Sequence, residues 1–95
     1  MTVHIPRALR AFTSGQEVVE LPAAATVGAA LAALWERHPG VRDRVVDERG
    51  VLRLHVNVFV GGESIRYTGG FETPLDGGAE LFILPAVSGG GAPAA

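Results

Sequence analysis

A single stretch of this chain carries a sustained helical period, and it lies between segments that alternate like strands. Val27, Leu31, Leu34, Trp35 and His38 fall at the i, i+4, i+7, i+8 and i+11 positions of one face. Thr26 stands immediately before them as an N-cap, and Pro39-Gly40 ends the run near His38. Much of the remaining surface is alanine, which lets a helix lie close to a sheet. One helix with one apolar stripe must bury that stripe against another layer, and the flanking segments can supply only a sheet.

The strands follow from period two. Val3 and Ile5 alternate with Thr2 and His4 in a segment reaching from Thr2 to Phe12, whose pairing should weaken at Pro6 because proline has no amide to donate. Thr13-Ser14-Gly15-Gln16 reads as a turn and Glu17 to Leu21 as a second strand, so the two should form an antiparallel hairpin. Beyond the helix, Val41 to Gly50 reads as a polar connection with at most a short helical turn. Leu52 to Val60 alternates most clearly: Leu52, Leu54, Val56, Val58 and Val60 should face the helix, with Arg53, His55, Asn57 and Phe59 outward. Gly61-Gly62 turns the chain into a strand from Glu63 to Tyr67. Thr68 to Phe71 and Leu75 to Gly78 are loops, and Glu80 to Leu84 is the last strand.

Strand, strand, helix, strand, strand, strand predicts an α+β fold of β-grasp, ubiquitin-like type: a mixed five-stranded sheet with one main helix packed on one face. A ferredoxin-like arrangement needs a second helix, and the only candidate, Val41 to Glu48, is short and charged. The expected boundaries are a domain over residues 1–85 and a tail over residues 86–95.

With 95 residues there is room for one domain. A net charge of −2 disfavours nucleic-acid binding, which needs clustered positive charge. All eight basic residues are arginine, so lysine chemistry such as a Schiff base or a P-loop is excluded. The absence of cysteine excludes disulfides, thiolate nucleophiles and cysteine-ligated metal, and fits a reducing cytoplasm. No apolar stretch has signal-peptide or membrane-spanning length. His4, His38 and His55 are scattered without a metal-site spacing, so no metal is expected. Asp47-Glu48 are adjacent and solvated, and Ser14, Ser64 and Ser88 lack a nucleophile-elbow context. The paired glycines at 61–62, 69–70 and 77–78 precede no helix and serve turns.

Two features remain. Phe59 sits on the polar face of its strand, and if Leu81 and Ile83 point inward, Phe82 and Leu84 share its outer face and form an exposed apolar patch of the kind that marks partner surfaces. After Pro85-Ala86-Val87-Ser88, Gly89-Gly90-Gly91 lacks side chains altogether, and such a segment can enter a channel too narrow for any other residue.

The stretch Ile83-Leu84-Pro85-Ala86-Val87-Ser88-Gly89-Gly90 resembles the C-terminal signature of the prokaryotic ubiquitin-like sulfur carriers, the MoaD/ThiS/CysO family, and of its CysO-like members most of all. Ile5-Pro6 with Leu9-Arg10, Gly15-Gln16, Val56 to Val60, and Ile65-Arg66 with Gly69-Gly70 carry the resemblance over nearly the whole chain. It implies a carrier that is a substrate, not a catalyst: Gly90, preceded by Gly89, is adenylated with ATP by a ubiquitin-activating-like enzyme and converted to a C-terminal thiocarboxylate. No cofactor is permanently bound. The thiocarboxylate then supplies sulfur to an acceptor such as a cysteine synthase, for cysteine or another sulfur-containing metabolite. Phe59, Phe82 and Leu84, with Pro85 and Val87 at the tail root, are the expected partner-binding residues.

The chain departs from the family signature in one respect: Gly90 is followed by Gly91 to Ala95. An amide inside a chain cannot be adenylated, so cleavage between Gly90 and Gly91 is expected, by a zinc-dependent JAMM-type protease of the kind that accompanies some such carriers. The alternatives are the small subunit of molybdopterin synthase and a ubiquitin-like protein modifier joined through Gly90 to lysines.

Overall fold

The computed structural model describes residues 1–76 and 78–85. Thr26, in extended conformation, accepts a hydrogen bond on its side-chain oxygen from the Ala29 amide at 3.2 Å, and helix α1 runs from there as Val27–Arg37 with His38 as its C-cap. Its inward stripe is Val27, Ala30, Leu31 and Leu34, all buried, while Trp35 packs at the margin of the core. Ala30 is fully buried on this stripe.

Five strands form one mixed sheet in the order β2-β1-β5-β3-β4, with β1 as Thr2–His4, β2 as Val18–Glu20, β3 as Val56–Val60, β4 as Glu63–Ser64 and β5 as Glu80–Pro85. The first and last strands lie side by side and parallel at the centre, so the C-terminal strand is paired on both edges. The remaining pairs are antiparallel. Val3, Val19, Val56, Val58, Leu81 and Ile83 point to the inner face and are buried against α1. The β-grasp expectation holds in element order and sheet type.

Several local expectations do not. The connection after α1 contains a second helix, α2 (Pro39–Val45), and it buries Val41, Val45 and the adjoining Val46. Pro39 ends one helix and begins the next, because its fixed φ and missing amide suit a first helical position. The regular strand predicted over Leu52 to Val60 begins only at Val56. Its partner β5 reaches Val56 with Pro85, the last described residue, so among the described residues no strand lies opposite the residues before Val56. Leu54, expected inside, lies in a turn and is 89% exposed. Leu52 makes only a single bridge, to Val46. The first segment is a strand as far as His4 and then, after Pro6, a 3-10 turn over Arg7–Phe12. The strand predicted from Glu63 to Tyr67 is two residues long, because Ser64 Oγ accepts from the Arg66 amide at 3.2 Å and starts a 3-10 turn. A further 3-10 turn, Gly70–Glu72, occupies part of the first predicted loop.

The buried hydroxyls are paired. Thr13 donates toward Gln16 O at 2.9 Å, and Thr73 toward Gly70 O at 2.7 Å, so each stabilises a turn without leaving an unsatisfied group inside.

Candidate functional site

Of the residues singled out in the sequence, Phe59, Phe82 and Leu84 share the outer face of the sheet. Val18 pairs with His4, His4 with Phe82, Phe82 with Phe59, and Phe59 with Ser64, which makes one continuous row across all five strands. Residues directly opposite on neighbouring strands place their Cβ atoms about 5 Å apart, close enough to cover one another. Phe59 and Phe82 are half-buried for that reason, and less exposed than an isolated outward phenylalanine would be. Leu84, two residues beyond Phe82 and opposite Asn57, keeps 43% of its surface open, and Val18 keeps 42% at the other end.

His4 was not among the predicted site residues, yet it organises the row. Its ring lies over Phe82 with centroids 4.2 Å apart and an interplanar angle of 4°, and its Nε2 is 2.6 Å from Glu80 Oε1. The sequence placed His4 on the polar face of its strand but not beside Phe82. That neighbour exists only because β1 and β5, 76 residues apart at the His4–Glu80 contact, pair in parallel.

At the β4 edge the row meets Arg66, whose guanidinium donates to Arg53 O and Val56 O, both at 2.7 Å, and more weakly to Asn57 Oδ1 at 3.4 Å. Tyr67 beside it is 88% exposed. Arginine and tyrosine are enriched among residues that dominate binding energy, so this edge extends the apolar row with polar contacts. Nothing in the sequence pattern distinguished Tyr67 from a strand residue, since a strand was expected there.

Pro85 is the last described residue and pairs with Val56 at the end of β5. Without an amide hydrogen it cannot donate to the ladder at that position. Val87, Gly89, Gly90 and Gly91 lie outside the described residues, as does Gly77.

His38 caps α1, as expected for a residue at a helix C-terminus. Asp47 lies in a polar loop, where the Val51 amide and the Arg49 amide, at 3.0 and 2.8 Å, hold its carboxyl below the usual carboxylate range. Among the described residues, no three histidine, cysteine or acidic side chains gather into a metal site, and no helix is long and apolar enough to cross a membrane. The assembled face presents half-buried aromatic rings between the exposed side chains of Val18 and Leu84.

The pattern of the ThiS family matches residues 3–90. The sulfur carrier protein CysO of Mycobacterium tuberculosis is 38% identical over 92 residues, which is 95% of this chain and 98% of that one. Its crystal structure superposes with a TM-score of 0.84. The CysO chain in the crystal structure of the Amycolatopsis orientalis BexX/CysO complex is 41% identical, with a TM-score of 0.84 over 93% of this chain and 97% of that chain. The small archaeal modifier protein SAMP1 of Haloferax volcanii has the same fold, with a TM-score of 0.77 and 32% identity over 93% of this chain and 96% of that one.

Proposed function

The chain belongs to the ThiS family, as a sulfur carrier protein and not an enzyme, and from that premise we propose that Gly90 becomes its reactive terminus after residues 91–95 are removed. One observation carries the reading: the family pattern extends to residue 90 and stops there. This supports the second of the paired glycines as the carrier's reactive end, with the residues after it outside the matched pattern.

The chemistry follows from the weakness of a carboxylate as an electrophile. A Gly90 carboxylate oxygen attacks the α-phosphorus of ATP, pyrophosphate leaves, and an acyl adenylate results. A sulfur nucleophile, in its simplest form hydrosulfide, then attacks the carbonyl carbon. AMP departs, the proton passes to solvent, and a thiocarboxylate remains. Glycine leaves the reacting carbon unhindered, and a tail of residues 86–90 lets one domain visit first an activating and then an accepting enzyme. The cytoplasm, which supplies ATP, is the proposed location of these steps.

Phe59, Phe82 and Leu84, with Pro85 and Val87 at the tail root, serve as the docking surface for the adenylating and sulfurating enzyme. The similarity to CysO proteins favours cysteine or a related sulfur metabolite as the destination, with a cysteine synthase as acceptor. The Amycolatopsis CysO is held in a complex with BexX, which supports recognition of this fold by a protein partner. A JAMM-type metalloprotease is the proposed trimming enzyme.

The likeness to a small archaeal modifier protein favours one second reading, attachment of Gly90 to lysines of other proteins. Intact-mass measurement on the protein from its host separates the two. A species ending at Gly90 with sulfur in place of one oxygen supports sulfur transfer, whereas isopeptide remnants on target lysines without that species support modification. Persistence of the full-length chain alone refutes both.

A further inference from the structure

A groove of about 420 Å³ opens at the tail root on the inner side of β5, opposite the aromatic row. Leu9, Phe12, Val56 and Pro85 line it together with Arg44 and His55. Phe12 is fixed in place. A Cβ on Gly40 would come within 3.0 Å of the Phe12 ring, so the glycine leaves room for that ring, and the Arg44 guanidinium carbon lies 4.7 Å from its centroid. A guanidinium stacked on a ring by its face keeps its N–H edge available for a carboxylate.

The charge around the groove is one-sided. No carboxylate of the described residues lines it. The ion pairs among the described residues are His4–Glu80, Arg42–Asp43 and Arg49–Asp47, which leaves Arg44 without an acidic partner. An apolar floor with an unpaired cation beside it complements a segment that presents a large apolar side chain next to an acidic one.

We propose that this groove is a second docking site, occupied by such an acidic and apolar segment of the enzyme that activates Gly90. The inference rests on the carrier reading above. It goes beyond that reading by assigning a surface on the other face of the sheet. A partner gripping only the outer row would leave the direction of the tail unconstrained; one that also fills the groove holds Pro85 from both sides and aims the following residues along a single path. Aiming the reacting terminus lowers the entropic cost of reaching the reactive geometry.

The test is ATP–pyrophosphate exchange by the host's ubiquitin-activating-like enzyme, with the chain ending at Gly90 as substrate at varied concentration. Arg44→Glu should raise KM about tenfold with kcat nearly unchanged, and Arg44→Ala should raise it less and flatten its dependence on salt. Arg44 is exposed, and circular dichroism and the unfolding midpoint of both variants check that the fold persists. Wild-type KM for both variants overturns the groove proposal while leaving the carrier reading intact. No exchange with the wild-type chain refutes the carrier reading itself, and this inference with it. A third outcome concerns a rival occupant. If, without any enzyme, the amide signals of Leu9, Phe12 and Val56 differ between the full chain and a chain ending at Pro85, the groove holds the protein's own tail and the partner assignment is overturned.

Discussion

Phe82 has a neighbour on each side of its strand, His4 on β1 and Phe59 on β3, and this position makes it the centre of the proposed docking surface. Phe82→Ser should raise the KM for activation of the Gly90-terminated chain by about tenfold, the size expected for truncation of a central interface aromatic. The same change removes the stacked contact with His4, so urea unfolding should show a loss of about 1 kcal/mol. Unchanged KM with that stability loss would mean that the row is structural only. Asp47 makes a different prediction. Its folded carboxyl is held below the ordinary value of 3.8, with the Val51 amide hydrogen bond as the largest cause. The stabilisation is therefore fully present above the unfolded value and is lost as pH falls through the lower folded one. An NMR titration into acid should move the Arg49 and Val51 amides together, while the signals of β5 stay in place. Phe82 was legible in the sequence through its alternation with Leu81 and Ile83. His4 was not, because no local pattern states which strand lies beside another.

At the scale of elements, the informative contrast is between α2 and the segment before β3. Val41, Val45 and Val46 are buried although charged residues separate them, and Leu54 is exposed although it continues a period-two pattern. Val45→Ala should cost about 2 kcal/mol by lost burial and a residual cavity. Leu54→Ser should fall within about 0.5 kcal/mol of the parent, since it removes no packed surface. Chemical denaturation of the two variants measures both. Equal costs would contradict the assigned end of β3. The sequence reading failed here for a physical reason: alternation reports what a strand would bury if it were paired, and among the described residues the pairing with β5 reaches only to Val56 opposite Pro85. For α2, three valines in a charged stretch gave too weak a period to stand out, and only the hollow between α1 and the first 3-10 turn made them core.

For the whole molecule, every buried core residue among the described residues precedes Pro85. A chain ending there should therefore unfold within about 0.5 kcal/mol of the full chain, as measured by urea titration. It should also fail to support sulfur transfer, because Gly90 would be gone. That pair of results would separate a folding domain over residues 1–85 from a functional tail over residues 86–95. A large destabilisation on truncation would instead assign the tail a structural role.

The sequence by itself determined the fold class, the position and cap of α1, the inward set on β5, the paired glycines and the family signature. These are local properties: a helical face, an alternation and a spacing are written in neighbouring residues. Tertiary structure alone decided that His4 lies on Phe82, that the polar connection supplies core, that Leu54 points to water, and that an apolar groove with a lone arginine opens beside Pro85. Each depends on which strands pair and where the pairing ends, and that is settled by packing between segments distant in the chain.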